Sequence, residues 1–502
     1  MNKGGILLAG IGALLVGMTV FGKTDIRPRC AGLAETALHA SILIESSETV
    51  EQTDSLPAFC RIRGTIDPDI GFEARFPLDG WNGNYFQAGC GGFCGRIEPD
   101  RETHSNAINH ALRRGHATIT TNGGHEGESL GDGRWALDNP AAEEVYAHRV
   151  LPLTRAAGHR LVEAVYEAEP AYSYFSGCSN GGRLGAQAAQ RYPDLFDGIV
   201  IGCPVLKLSV NGGAFGAWVL QSNSDGDGGR ILDYRFIPKL AMLERNALAQ
   251  CDALDGQADG AIAEPGLCQV SLDAIPVCEG EPRNDCLTAA EKRVVGLWYQ
   301  GPVNSRGESV FPGMPAGSER FWGHWYLGDE TFQGIGTLLA DGYGTYLGFA
   351  EDPPGYSALQ FDFDTDVAKL AAQGELFDAL DPDLAAFRDA GGKIIMWHGM
   401  ADPLVLPGQS RDYYEAVMSE LGESQTTAFF RLFEAPGLGH CWDLPASLPD
   451  GMDLLGALEQ WVEADIAPDE IPVTQRGAEG YVAASGMLRP YPQFAQYADK
   501  SP

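Results

Sequence analysis

The 502-residue chain carries 68 acidic against 35 basic residues, a formal charge of −33, and is 44% hydrophobic. A surface of that sign repels phosphate backbones, so no nucleic-acid partner is expected, and a solvated acidic surface accounts for the charge without an acidic partner site. The length exceeds one simple core, so a large domain with an insertion or a second domain is expected.

The chain opens on Lys3 followed by an apolar, Gly-interrupted run over residues 4–22. This reads as a signal peptide over residues 1–22, with small residues Val20 and Gly22 suiting cleavage. An uncleaved anchor is the alternative, since about 19 apolar residues can just span a bilayer. The expectation is a secreted or periplasmic protein with no stable membrane association after the leader is removed. Eleven cysteines fit that destination as disulfides with one left over. Cys90 and Cys94 enclose a very short loop, Cys251 and Cys268 bracket an Asp/Gly loop, and Cys278 and Cys286 bracket a polar one. A cytoplasmic enzyme with reduced thiols is the competing reading.

A Gly-x-Ser-x-Gly pentapeptide occurs twice. The first, Gly127-Glu128-Ser129-Leu130-Gly131, lies in a polar, Gly-rich stretch with no strand before it and reads as a loop. The second is Gly177-Cys178-Ser179-Asn180-Gly181. A β-prone run, Tyr172-Ser173-Tyr174-Phe175, precedes it, and a small-residue helix over residues 181–190 follows. Strand, sharp turn and helix would hold Ser179 as an exposed nucleophile, with the Asn180 N–H aimed where an oxyanion would form. Residues 196–202 then read as a buried parallel strand.

A serine nucleophile needs a base oriented by a third group. His324, His398 and His440 are the histidines after Ser179. His440 sits on a Gly-rich loop after a β-like run over residues 428–433, the place for the base. His398 ends another apolar run, residues 393–397, and leads to Asp402, the place for the orienting acid. Asp402 is therefore assigned as acid and His440 as base, with His398 a structural histidine in the turn; Asp443 and Asp366 are weaker candidates for the acid. Cys178 adjoins the nucleophile and Cys441 the base. If the triad assembles, these cysteines are neighbours, and a Cys178–Cys441 disulfide would hold the base in register with the nucleophile.

Ser176-Gly177-Cys178-Ser179-Asn180-Gly181-Gly182-Arg183, Arg191-Tyr192-Pro193, Phe196-Asp197-Gly198-Ile199-Val200, Trp397-His398-Gly399 with Asp402, and Gly439-His440-Cys441 together resemble the tannase and feruloyl esterase family. The likeness runs over most of the chain after the leader. It implies an α/β-hydrolase fold with a large inserted lid, and an ester hydrolase acting through Ser179, Asp402 and His440. The catalytic domain would comprise residues 24–206 and 366–502 and the lid residues 207–365. The resemblance also implies a structural Ca2+ in the lid, with no organic cofactor. Asp252, Asp255 and Asp259 would ligate through side chains, and Gln257 and Ala261 through carbonyls. Three carboxylates on a Gly-containing loop suit a hard cation, while the spacing departs from an EF-hand.

Two departures from the family pattern stand out. The second oxyanion donor is expected near Cys90 or Gly91, where the Cys90–Cys94 pair makes the loop unusual. Cys203 replaces a small residue and is expected to be the buried thiol outside the disulfides; Cys30 and Cys60 are also assigned to disulfide bonding. Phe321, Trp322, Trp325, Tyr326, Tyr343, Tyr346 and Phe349 are candidates for an aromatic-binding wall or for lid core. Family substrates include feruloyl, cinnamoyl and galloyl esters and mono(2-hydroxyethyl) terephthalate. No Lys or Arg lies between Arg320 and Lys369, which favours a neutral phenolic ester over a terephthalate half-ester. A non-catalytic binding protein on the same fold, and amidase or peptidase chemistry on the same triad, are the rival readings.

Overall fold

The computed structural model describes residues 25–101, 106–279, 283–441, 451–476, 482–493 and 495–497. The leader over residues 1–22 and the alternative acid Asp443 lie outside the described residues.

The order of strands along the chain is β1 (Ile42–Val50), β2 (Phe59–Ile66), β3 (Ile70–Pro77), β4 (Asn84–Ala88), β5 (Ala117–Thr121), β6 (Tyr172–Cys178), β7 (Gly198–Gly202), β8 (Lys393–Gly399) and β9 (Phe430–Ala435). They form one nine-stranded sheet in the spatial order β1-β2-β3-β5-β4-β6-β7-β8-β9. The first three and β5 pair antiparallel, and from β5 to β9 all pairing is parallel. Burial follows from that division. β4, β5 and β7 are buried at every position, as a parallel strand covered on both faces must be, whereas the edge strand β1 alternates more loosely.

Helices cover the faces. The helix Val150–Tyr166 buries Val150, Leu151, Thr154, Ala157, Leu161, Val162 and Val165 at helical spacing, and its Gly158 lets the ring of Tyr85 approach the backbone. The helix Asn180–Arg191 packs on the sheet through small residues. A Cβ at Gly185 would sit 3.1 Å from Ile199 and Ile201, so the glycine allows a close helix–strand approach. Between β7 and β8 the chain runs through residues 203–392 without adding a strand to the sheet, largely as helices that include Leu240–Cys251, Ala289–Gln300 and Ile335–Tyr346. After β9 come the helix Leu454–Ala464 and a four-stranded antiparallel sheet of β10 (Gly451–Met452), β11 (Ile471–Arg476), β12 (Val482–Leu488) and β13 (Gln496–Tyr497).

Five disulfides form among the described residues: Cys30–Cys60, Cys90–Cys94, Cys178–Cys441, Cys251–Cys268 and Cys278–Cys286. Cys203 is buried and outside them. Element ends differ from the sequence reading by one to three residues. The one with consequence is β8, which extends to Gly399, so His398 lies on the strand and not in the turn after it.

Candidate active site

The residues singled out by chain order all lie beyond the carboxyl ends of the parallel strands, where loops of an open α/β sheet converge. Ser179 follows β6, Asp402 follows β8, His440 follows β9, and the segment Gly89-Cys90-Gly91 follows β4.

Ser179 occupies a strained positive-φ conformation (φ 63°, ψ −122°) as the residue preceding the helix Asn180–Arg191. Its N–H donates to Gly202 O at 2.9 Å, and its carbonyl accepts from Arg183 N at 3.0 Å, so the strained turn is clamped from both sides. Two glycines make the turn possible. A Cβ at Gly177 would lie 2.5 Å from the Gly181 carbonyl, and one at Gly182 would lie 2.4 Å from Gly202 O. Ser179 is half-buried while its neighbours Cys178 and Asn180 are buried.

Asp402 is fully buried. Its Oδ1 accepts from the N–H groups of Leu404 and Val405, both at 2.9 Å. Its Oδ2 accepts from His440 Nδ1 at 2.5 Å. Burial is the largest single influence on this carboxyl and pushes it up, but the facing charge of His440 and hydrogen bonds from His398 and His440 outweigh it, and the net value falls to about 2. The carboxylate is thus ionised at neutral pH. It requires the proton of His440 on Nδ1, which leaves Nε2 as the basic lone pair.

The loop bearing His440 is held to the loop bearing Asp402. Ala401 N–H donates to Leu438 O and Met400 N–H to Ala435 O, both at 2.9 Å. Gly399 allows the crossing, since a Cβ there would lie 2.4 Å from Gly439 O. Cys441 is bonded to Cys178, which ties the His440 loop to the end of β6. His398 Nε2–H donates to Val405 O at 2.9 Å and stands 3.4 Å from Asp402 Oδ2, while its Nδ1 accepts from the Ser410 hydroxyl at 2.7 Å. It braces the acid's loop from beneath. Asp366 bonds Lys369, Tyr356 and the Asp362 N–H, with no histidine partner. His324 stacks edge-on against Trp325, and Trp325 in turn meets the His440 ring at 5.2 Å.

Asn180, Cys90 and Gly91 come together. Asn180 Nδ2 donates to Cys90 O at 3.2 Å, and Cys94 N donates to Gly91 O at 3.0 Å. Among the described residues, neither the Cys90 nor the Gly91 N–H donates to the protein backbone. The first pentapeptide is a loop, although β5 (Ala117–Thr121) does precede its stretch where no strand was expected, and it has a partner here: Leu130 O accepts from Phe93 N at 2.8 Å, and Gly127 N donates to Gly95 O at 3.0 Å.

A small pocket is lined by Ser179 and Asn180. Its walls come from Phe93, Tyr146, Leu208, Phe215, Tyr326 and Tyr343 among others, with no charged side chain in the lining. Of the seven aromatic candidates, only Tyr326 and Tyr343 line it. Trp322 instead packs against Trp298 and Tyr299 inside the insertion, because its indole N–H finds the Ser318 hydroxyl there. Phe93, Tyr146 and Phe215 were not singled out from sequence, being scattered over three segments with no shared pattern.

The acidic loop of the insertion is closed by Cys251–Cys268 and turns at Gly256 and Gly260, both with positive φ. Asp252 accepts from Gly260 N, Asp255 from Gln257 N and Asp259 from Ala261 N. Burial, then the facing charges of Asp252 and Asp255, hold the Asp259 carboxyl above its ordinary range. Among the described residues the carbonyls of Gln257 and Ala261 accept no backbone hydrogen bond. Carboxylates beside uncommitted carbonyls are the donor types a hard divalent cation takes, but the three carboxylates do not lie within 4.8 Å of one another, being held to their own loop N–H groups. Glu264, just beyond the loop, pairs with Arg411, which also pairs with Glu434 of β9 and so joins the insertion to the sheet.

Residues 55–502 match the model of the family described as tannase and feruloyl esterase. An uncharacterized esterase of Xanthomonas campestris is 34% identical over 97% of this chain and 91% of its own length. A mono(2-hydroxyethyl) terephthalate hydrolase of Piscinibacter sakaiensis is 32% identical over 92% of this chain and 86% of its own. The crystal structure of feruloyl esterase B from Aspergillus oryzae superposes with a TM-score of 0.78 at 27% identity, covering 93% of this chain and 96% of that one.

Proposed function

This chain belongs to the tannase and feruloyl esterase family, has the α/β-hydrolase fold and is a carboxylic ester hydrolase; from that premise we propose that it is a secreted serine esterase for neutral aromatic esters. The observation that carries the reading is the uncharged, aromatic-walled pocket that Ser179 lines.

In the proposed reaction the Ser179 hydroxyl attacks the ester carbonyl while His440 Nε2 takes its proton. The resulting oxyanion is met by the Asn180 N–H at the helix start and by a second N–H from the Cys90–Gly91 segment. Collapse breaks the C–O bond, and His440 returns the proton to the departing alcohol. Water, deprotonated by the same Nε2, then attacks the acyl-serine, and the acid leaves with Ser179 restored. Asp402 stays ionised throughout and holds the imidazolium that forms twice per turnover. Residues 207–365 act as the lid that supplies Tyr326 and Tyr343 to the acyl pocket. Ca2+ held by Asp252, Asp255 and Asp259 with the Gln257 and Ala261 carbonyls would stiffen that lid as a structural ion. Five disulfides suit an oxidising compartment, and no described helix is long and apolar enough to cross a membrane.

A second reading, hydrolysis of a terephthalate half-ester, is favoured by the 32% identity to the Piscinibacter enzyme of that name. Steady-state kinetics on methyl ferulate, methyl gallate, the terephthalate half-ester and matched amides, beside Ser179→Ala, separate the possibilities. The expected result is preference for the neutral esters and loss of turnover in the variant. Preference for the half-ester overturns the substrate assignment. Full activity in Ser179→Ala overturns the mechanism.

A further inference from the structure

Arg183 is completely buried, and its charge is met only at longer range by the Asp378 carboxylate, with which no ion pair is formed among the described residues. Its guanidinium is spent on main-chain and amide oxygens. Nη1 donates to Ala147 O at 2.8 Å and Phe377 O at 3.0 Å, Nη2 to Tyr146 O at 3.3 Å, and Nε to Asn180 Oδ1 at 2.9 Å. Asn180 passes the restraint on, because its Nδ2 donates to Cys90 O at 3.2 Å and approaches Cys94 Sγ at 3.4 Å. With Oδ1 accepting and Nδ2 donating, the amide cannot flip without losing both links. A guanidinium desolvated this fully is costly, and sequence pattern alone gives no reason for one behind a helix of small residues.

The chain of bonds ends where it matters for the proposed reaction. The peptide joining Cys90 to Gly91 is planar and trans, so fixing the Cys90 carbonyl fixes the opposite-pointing Gly91 N–H. Gly91 O is held in turn by Cys94 N, and Cys94 is bonded to Cys90. The two donor segments also touch: a Cβ on Gly89 would lie 2.9 Å from Gly181 Cα. We propose that Arg183 and the Asn180 side chain are positioning groups that lock the two oxyanion donors to each other, with the Cys90–Cys94 disulfide as the second anchor of the same loop. This rests on the esterase reading above. It assigns Asn180 two separable parts, a backbone N–H that meets the oxyanion and a side chain that aims the partner donor.

Asn180→Ala tests this directly, because it keeps the backbone N–H and removes only the link. On the full-length protein, kcat should fall by about 10–100-fold with KM changed by less than about two-fold. Affinity for an aryl boronic acid, which adds to the serine as a tetrahedral mimic, should fall by a similar factor, while affinity for the aromatic acid product stays constant. Arg183→Lys should reproduce the pattern, and if it fails to fold, Cys90→Ser/Cys94→Ser supplies the second arm with the same expected split. A kcat within about two-fold of the parent, or a loss carried by KM and product affinity, overturns the inference. Failure of the esterase reading looks different: the parent protein then neither turns over the esters nor binds the boronic acid through Ser179.

Discussion

Replacing Cys178 and Cys441 together by Ala separates two effects that a disulfide usually confounds. The bond closes a loop of 263 residues. Loop-closure entropy alone puts its contribution at about 5–6 kcal/mol as an upper bound, since native strain and residual unfolded-state structure reduce such gains. Cys30–Cys60 closes 30 residues, for about 3–4 kcal/mol on the same basis, and serves as the control. It attaches to β2, which lies four strand spacings from β6, or about 19 Å. Both double variants should therefore lower the urea midpoint, the first more than the second. Only the first frees the His440 loop from the strand that leads to Ser179. That loop keeps its bonds to Met400 and Ala401, so the displacement is small, but a displacement on the order of 1 Å costs about 100-fold in rate. Urea titration by tryptophan fluorescence, with kcat measured below the transition, reads both quantities. Equal kcat losses in the two variants, or none in either, would refute the assignment of Cys178–Cys441 to base positioning.

Asp402→Asn should lower kcat by about 10³–10⁴-fold, because the amide no longer enforces the His440 tautomer. It should also change acid stability: the native carboxyl lies at about 2, below its unfolded value, so its contribution is present above about pH 4 and lost as pH falls through about 2. That contribution is about 2–3 kcal/mol, and urea midpoints between pH 5 and pH 2 should slope more steeply in the parent than in the variant. Chelator should lower the melting temperature and added Ca2+ restore it. Asp255→Asn/Asp259→Asn should melt at one temperature with or without chelator, and a parent transition indifferent to both treatments removes the structural ion.

What could be read from sequence was what chain-local rules govern. A strand, a Gly-flanked serine and a small-residue helix announce a tight turn wherever they occur, and chain order then selects Asp402 and His440. The cysteines adjoining Ser179 and His440 turned that order into a distance, which the Cys178–Cys441 bond meets. The cavity walls were not legible. Phe93, Tyr146 and Phe215 face one space only because three segments fold together, and Trp322 sat in a promising aromatic run but found Trp298. Arg183 was visible as part of a motif, whereas its role depends on carbonyls at 146, 147 and 377 that no pattern names. The first pentapeptide was legible as a loop and not as a brace, since the bond from Phe93 N to Leu130 O is made by backbone atoms common to every residue.

The same guanidinium bears on which acyl group the cavity accepts. A terephthalate half-ester carries a carboxylate, and taking a carboxylate out of water costs several kcal/mol unless a cation or several donors receive it. The lining holds Asn and Tyr groups but no cation. Tyr146 O–H is already given to Gly92 O and Tyr326 O–H to Pro403 O, which leaves the buried Tyr343 O–H as a single tyrosine donor without a partner among the described residues. Arg183 touches two lining residues, under the Tyr146 ring and against Asn180, yet its donors are engaged by four protein oxygens. To turn toward a substrate carboxylate it would have to give up one or more of these bonds, and loss of the Asn180 bond would, under the proposal above, loosen the Cys90–Gly91 peptide. A charged acyl group would thus gain its counter-ion only by breaking bonds that hold Arg183 in place. A neutral phenolic ring buries against Phe93, Phe215 and Tyr343 without that conflict. Under the proposed alignment of the oxyanion donors, the buried cation would therefore also disfavour a charged acyl group.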